Sequence, residues 1–439
     1  MTPSRFRAFL LLLFYGSLFS LPLSVDWFSD RGFGLTLLTE PLMALTVGVL
    51  VLGGVGGWLR WPGKAHRLDK LIGIHFGTLF LATVFSGAPL VSAKYLATLL
   101  LYVAFGYGVP RVLHLTRVEW LRALGVLATS TALLAGYVLV RHLMQGISYS
   151  NSYIIAQPFL QHGHTNLTVM LEPLVLLLNL ALLHHPLLRK QGLRLLATAL
   201  LTVVLMVVAF SYSRASYISL VMQALLLLFY VGWREWRQLL LPWSVAACLI
   251  LTTWQLLTQT HPDAVKVTDK SIVHELGTVS DFTPTNESNA ERKNRWVFGL
   301  ELFEQEPIIG VGPGTFPDRY LDFVRNAPSH VNYTITFRRM NSHNLYVTWL
   351  VEAGALGLAT GVMLLGYVGL RLLRWTWRRR LTPTQVGFTV YFLFFLLHSL
   401  TQDFWQEPRV IVLFWLAMGL QRYYERPTPV ALRQTAATA

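Results

Sequence analysis

Apolar residues run along this chain in long unbroken blocks, not in the alternating or every-third-position patterns of soluble strands and helices. Each block of about 18 or more residues is long enough to cross roughly 30 Å of hydrocarbon as a helix. Reading spans along this pattern places them at about 8–25, 37–58, 71–87, 94–113, 118–140, 165–184, 193–211, 215–233, 239–258, 345–370, 386–402 and, shorter than the rest, 409–421. The pattern predicts an all-α polytopic membrane protein with about 12 transmembrane helices.

Two polar stretches interrupt the series. Residues 141–163 form a short, moderately polar loop, whereas 260–342 have the composition of a small soluble subdomain between helices nine and ten. Loops of that length are uncommon unless functional or disordered. The tryptophan, phenylalanines and Gly-Pro turn in this one favour a folded, partly helical unit. Its opening, 261–294, is rich in Asp, Thr, Ser and Asn and reads as irregular. From Arg292 to Phe303, the spacing of Trp296, Leu300 and Phe303 predicts an amphipathic helix with bases at its start. Glu306 to Gly314 reads as a rigid turn, and a second short helix is expected near Pro317 to Arg325. The chain therefore divides into helices 1–9 over residues 1–258, the loop subdomain over 259–344, and helices 10–12 with a tail over 345–439.

Composition agrees with a membrane protein: 54% of residues are hydrophobic, 13% are charged, and mean hydropathy is +0.48. A net charge of +14 in a soluble chain would point to nucleic acid. Here the bases alternate from one connection to the next. Arg60, Lys64, Arg67, Lys70, Arg189, Lys190, Arg194, Arg234, Arg237, the Arg371 to Arg380 cluster, Arg422, Arg426 and Arg433 all fall on one side. By the positive-inside rule that side is cytoplasmic, with both termini, and the long loop lies outside. The basic excess is topology, and no nucleic-acid partner is implied. Arg5 and Arg7 ahead of the first block resemble a signal-peptide start. That block ends in Leu-Ser-Val-Asp-Trp-Phe with no small-residue cleavage site, so it is expected to be retained. The single cysteine, Cys248, excludes an intrachain disulfide and a cysteine zinc cluster, and reads as a small buried apolar residue.

Several residues are placed where chemistry could occur. His343, in Asn341-Ser342-His343-Asn344, sits where the long loop re-enters an apolar helix. Neutral imidazole there is either a proton acceptor or an interfacial hydrogen-bonding group. Asn341, Ser342 and Asn344 have the chemistry of helix caps. Arg214, in the very short Ser211-Tyr212-Ser213-Arg214 link, lies at or just inside the outer surface. Its planar fork suits phosphate oxygens, and snorkelling to headgroups is the bland alternative. Arg295 lies near the predicted start of the amphipathic helix, where backbone N–H groups favour anions; a solvated surface face is its alternative. Arg338, Arg339 and Arg141 have the same ambiguity. Gln161-His162-Gly163-His164 is too sparse a ligand set for a metal, and His164 reads instead as a polar substrate contact or as a residue with no role in the site. Gly310-Val311-Gly312-Pro313-Gly314 lacks dinucleotide-fingerprint spacing. Glu40 and Glu172, each before a proline, are intramembrane acids or solvated helix ends. The outward loops carry no Asp-x-Asp pair for a divalent metal.

Taken together, Ser213-Arg214-Ala215, Arg295-Trp296, Pro307-Ile308-Ile309-Gly310-Val311-Gly312-Pro313-Gly314 and His343-Asn344 followed by Glu352-x-Gly354 resemble the O-antigen ligase and polymerase superfamily. The resemblance is specific over about 205–360 and topological elsewhere. It implies a GT-C-like glycosyltransferase of the bacterial (Gram-negative) inner membrane with a periplasmic active site. The donor would be O-antigen on undecaprenyl diphosphate, and no cofactor or metal is implied. His343 matches the family's essential histidine, taken to deprotonate the acceptor hydroxyl. Arg214 and Arg295 match its essential arginines, which would bind the diphosphate. Lower-ranked substrate contacts are Arg338, Arg339, Arg141, His164 and Asn344. Within the superfamily, one large late loop fits the ligase that moves O-antigen to lipid A–core oligosaccharide. The polymerase and the protein O-oligosaccharyltransferase use similar motifs. A transporter of lipid-linked sugar is the reading from another class; it expects functional charges near the bilayer midplane and usually internal repeats, and no repeat is found.

Overall fold

The computed structural model describes residues 2–28, 34–63, 65–160, 164–260, 287–326, 339–377 and 381–424. Among these, each predicted apolar block contains a helix. In chain order they are α1 Pro3–Leu23, α2 Thr39–Val55, α3 Arg67–Val84, α4 Pro89–Val112, α5 Arg117–Gln145, α6 His164–His184, α7 Gln191–Ala209, α8 Arg214–Val231 and α9 Leu240–Thr260. After the loop helices α10 Glu287–Gln305 and α11 Phe316–Asn326 come α12 Leu345–Trp377, α13 Pro383–Ser399 and α14 Pro408–Tyr424. Eight helical segments are long and apolar enough to cross a membrane; α2 and Pro408–Gln421 of α14 are shorter apolar helices. The chain is a nearly all-helical, membrane-embedded protein. The all-α expectation needs one correction: β1 Val25–Phe28 and β2 Gly34–Leu37 pair antiparallel, with Val25 opposite Leu37. Val25, Trp27 and Phe28 suit a strand, but the apolar run leading into them hides the change of element.

Polar residues set several helix starts. Thr116 and Glu119 form a capping box on α5, and Thr382 and Gln385 form one on α13. Within the bundle α3 packs along α12, α1 along α5 and α2, and α8 along α13 and α6. A π-helical turn at Ala104–Gly108 widens α4 where α14 crosses it. Arg409, 1% exposed, ties the extramembrane ends together. Its Nη2 donates to Ser24 O, Asp26 Oδ1 and Phe159 O, and its Nη1 to Glu407 Oε1.

The two loop helices pack on the start of α12 through Phe298, Leu302, Phe316, Tyr320, Val324 and Val351. Both were expected, but α10 starts at Glu287, so 287–294 are helical and not irregular; residues 261–286 lie outside the described set. Its buried face also differs from the expected one. Leu300 is half exposed, while Arg295, Phe298 and Leu302 point inward. A charged residue takes an inward position because its hydrogens find buried acceptors, which apolar periodicity cannot register. Cys248 is exposed on α9, correcting its expected burial. On a membrane helix an outward face meets lipid, so an apolar residue there need not be internal.

The glycine-rich turn after α10 is a fastener. Val311 N donates to Val351 O and Gly312 N to Glu352 O, both at 3.0 Å. In return Ala355 N donates to Pro307 O at 2.9 Å and Leu356 N to Ile308 O at 3.3 Å. These bonds replace helical ones where α12 breaks at Gly354 (φ 66, ψ −168). A side chain on Gly310 (φ 79) would run into the Gly354 backbone, which explains the glycine on both sides.

Candidate functional site

The turn Asn341–Asn344 is built by its own polar side chains. Asn341 Oδ1 accepts from His343 N at 3.1 Å, and Ser342 Oγ accepts from Asn344 N at 3.2 Å. Asn344 Oδ1 then accepts from Tyr346 N and Val347 N, capping α12, while its Nδ2 donates to Leu400 O at 3.1 Å. Both ends of the Asn344 side chain are thus spent on structure, and the cap reading of this residue is the one the geometry supports.

Helix α10 grips the same turn. Arg295 Nη1 donates to Asn341 O at 3.2 Å, Trp296 Nε1 donates to Ser342 O at 3.0 Å, and Arg295 Nη2 pairs with Glu291 Oε2 at 3.0 Å. Arg295 is 2% exposed, and its Nε–H has no hydrogen-bond partner among the described residues. Burial pulls its pKa down, against the nearby Glu291 and Tyr320. The expected location at a helix N-terminus is corrected: Arg295 lies eight residues into α10, beyond the free N–H groups of the first turn.

His343 is lifted out of the turn in a left-handed conformation (φ 51), uncommon for a residue with a side chain and more often found in histidine than in most others. Its Nδ1 faces Gln402 Oε1 at 2.5 Å. Desolvation holds the imidazole well below its ordinary pKa of 6.5, helped by the positive charges of Arg295 and Arg292 and opposed by the bond to Gln402. The residue as a whole is partly exposed. The imidazole is therefore held neutral beside two cations. Beneath it, Ser342 Oγ and Thr348 Oγ1 are 2.7 Å apart, and Thr348 Oγ1 donates to buried Asp403 Oδ2 at 2.8 Å. Desolvation raises Asp403 above the usual carboxylate range, against the bonds it accepts from Thr348 and Trp405 N.

Arg214 is the first residue of α8, half-buried, following a tight turn in which Tyr212 has φ 56. Inside the bundle, below it, a polar seam runs through α6, α8 and α13. Ser216 Oγ donates to Thr168 Oγ1, Ser219 Oγ donates to Glu172 Oε2, both at 2.5 Å, and His398 Nε2 lies 3.0 Å from Glu172 Oε2. Glu172 and His398 are completely buried, so the solvated-end alternative for Glu172 is corrected. Ser219 follows Arg214 by five residues and Gln402 follows His398 by four. The seam thus puts Arg214 at the same end of the bundle as Gln402 and His343.

The other candidates are brought elsewhere. Arg141 donates to Gln157 O, lies 5.7 Å over the Tyr137 ring, and so pins the 146–160 turn. Arg339 pairs with Asp318 at 2.6 Å on the exposed surface. Arg338 and the segment Gln161 to Gly163 lie outside the described residues, as does the side chain of His164. Glu40 accepts from Tyr102 OH and Thr36 N, holding the β-hairpin. A cavity of about 1080 Å³ opens between α5, α6, α13 and α14, beside Arg117, His184, His185 and Thr382. It is almost wholly apolar, lies at the other end of the bundle, and contains none of the candidate residues. Gln402 and Asp403 were missed in the sequence. The signal was there, as a short polar run, Thr401-Gln402-Asp403, between two strongly apolar blocks.

The segment carrying Arg214, Arg295 and His343 is also the one that resembles a known family. Residues 196–362 match the family model described as O-Antigen ligase. The match supports membership of the O-antigen ligase/polymerase superfamily. No curated protein matches the chain. Against the O-antigen ligase family segment, the geometry divides the motifs into two groups. The Gly310–Gly314 turn, Glu352 and Gly354 form a dock: Glu352 accepts from Gly314 N at 2.8 Å and from Phe316 N at 3.1 Å, starting α11. Arg295 and Trp296 grip the turn that carries His343.

Proposed function

We propose that this protein is an O-antigen ligase, transferring glycan from undecaprenyl diphosphate to lipid A–core oligosaccharide at the periplasmic face of the inner membrane. The observation that carries the reading is His343: neutral, left-handed, anchored through one ring nitrogen and set beside Arg295 and Arg292. In the reaction His343 takes the proton of an acceptor hydroxyl as its oxygen bonds to the anomeric carbon. The bond from that carbon to the diphosphate oxygen breaks, and undecaprenyl diphosphate leaves with the electron pair. Attack opposite the leaving group inverts the configuration. Arg214 and Arg295 offset the charge gathering on the diphosphate, the kind of preorganised electrostatic help that dominates many enzymes. Arg295 also holds the turn that presents His343.

Ligase is favoured over polymerase by the unequal loops: a short 146–160 turn against the long insertion before α12. The test is transfer in proteoliposomes containing undecaprenyl-diphosphate-linked O-antigen and lipid A–core. Wild type should join the two, and His343→Ala should lose roughly 10²–10⁴ in rate while eluting as a folded protein. Arg214→Lys should also be badly impaired, because a point charge does not replace the guanidinium fork. Near-normal turnover by folded His343→Ala would sink the mechanism. Extension of the lipid-linked glycan without joining to lipid A–core would assign polymerase instead.

A further inference from the structure

The extramembrane turn between α13 and α14 is fixed to the His343 turn at three points. Asn344 Nδ2 donates to Leu400 O, His343 Nδ1 meets Gln402 Oε1, and Thr348 Oγ1 donates to Asp403 Oδ2. Of these, only the Gln402 contact touches the reactive ring. Gln402 is 9% exposed, and its own backbone N–H donates to His398 O at 2.9 Å, which sets its side chain on the last turn of α13. With the Gln402 carbonyl oxygen, which only accepts, placed against the ring, the hydrogen in this contact is assigned to Nδ1. A neutral imidazole carries one ring hydrogen, and with Nδ1 occupied the lone pair is on Nε2.

We propose that Gln402 is the positioning residue for His343: by accepting from Nδ1–H it selects the tautomer whose Nε2 takes the acceptor hydroxyl's proton. The inference rests on the reading of His343 as the base. The proton moves from the hydroxyl to Nε2, giving an imidazolium with Nδ1–H still donating to Gln402. The hydroxyl oxygen bonds to the anomeric carbon, and the diphosphate leaves with the electrons of the broken bond. Without Gln402 the neutral ring is free to put its hydrogen on Nε2, where it cannot accept a proton. With His343 in a left-handed conformation, its ring meets Gln402 on the α13 side, and the selection falls to that contact.

The test compares wild type, Gln402→Leu, Gln402→Glu and His343→Ala in the same proteoliposome assay across pH. Leu keeps the size of Gln402 and removes the acceptor, so kcat should fall about 10- to 100-fold, the range for losing the partner that orients a functional histidine, with KM nearly unchanged. Glu keeps an acceptor and adds a negative charge. It should retain more activity than Leu and move the acid limb of kcat to higher pH by about one unit or more. The charged groups facing the ring are Arg295 and Arg292 from α10, and both are unchanged in these variants. A Gln402→Leu enzyme with wild-type kcat, or a Gln402→Glu enzyme with an unmoved acid limb, overturns the role of Gln402 while leaving His343 as base. If His343→Ala itself stays active, the parent reading fails. If Gln402→Leu does not fold, the pH profile of Gln402→Glu decides alone.

Discussion

At the scale of single residues, one arginine both holds a histidine's turn and biases that histidine's charge. Arg295 reaches Asn341 O and Glu291 with two of its nitrogens and places a positive charge near His343. That charge disfavours the imidazolium and adds to desolvation, the larger cause, in holding the ring below its ordinary pKa of 6.5. Removing it has a definite sign. Arg295→Met fills similar space without charge, so the imidazolium becomes easier to form and the pKa of His343 rises. Activity that depends on the neutral ring should then fail at a higher pH than in wild type. The expected outcome is an acid limb of kcat displaced upward, together with a lower plateau because the Asn341 turn loses its clamp. Rate measurements across pH check it; a plateau loss with an unmoved limb would leave Arg295 as a clamp alone. The sequence made His343 and Arg295 visible as types in suggestive places. It could not show that Arg295 points inward, because a buried charge looks like a surface one until its acceptors, Asn341 O and Glu291, are known.

At the scale of elements, the loop helices are positioned by a broken helix. Gly354 has a backbone conformation that belongs almost solely to glycine, and at this point α12 gives its hydrogen bonds to the Pro307–Gly312 turn. Gly354→Ala adds a methyl group that meets the Ile308 carbonyl and forces the backbone out of that conformation. Strain of this kind costs about 1–3 kcal/mol, and the lost dock adds to it. A detergent-solubilised Gly354→Ala protein should melt at lower temperature, with increased protease sensitivity in α10 and α11 before the bundle is cut. Equal sensitivity of loop helices and bundle would mean that the dock is not what holds them. The turn was legible as rigid from its glycines and proline, and the first loop helix was legible from its spacing, though not the face it buries. Their partner on α12 was not. Pairing between residues 312 and 352 leaves no mark in local periodicity, and Gly354 sits inside an apolar block that reads as unbroken helix.

At the scale of the whole molecule, each apolar block contains a described helix, because length and hydrophobicity are the governing signal when the solvent is lipid. How the helices register against one another depends on a few polar atoms among them, which block patterns do not resolve. The Glu172–His398 pair joins α6 to α13, and Ser219 joins α8 to the same carboxylate. The transporter reading expects functional charges in the membrane interior. Here the interior acid has its acceptor sites engaged by a hydroxyl and an imidazole, as a clasp between helices requires. A clasp predicts a particular asymmetry. Removing one partner strands the other in an apolar interior, which typically costs about 3–5 kcal/mol, whereas replacing both with apolar residues is often close to neutral. His398→Leu should therefore melt well below wild type in detergent, and Glu172→Leu with His398→Leu should recover most of the difference. Because α8 begins with Arg214 and α13 leads to Gln402, the single variant should also lose transfer activity, and the double variant should regain it in step with stability. A double variant that is stable but inactive would give the pair a part in the chemistry itself. Recovery of both together would make it the bolt that brings Arg214 at the start of α8 and Gln402 beyond the end of α13 to the same end of the bundle.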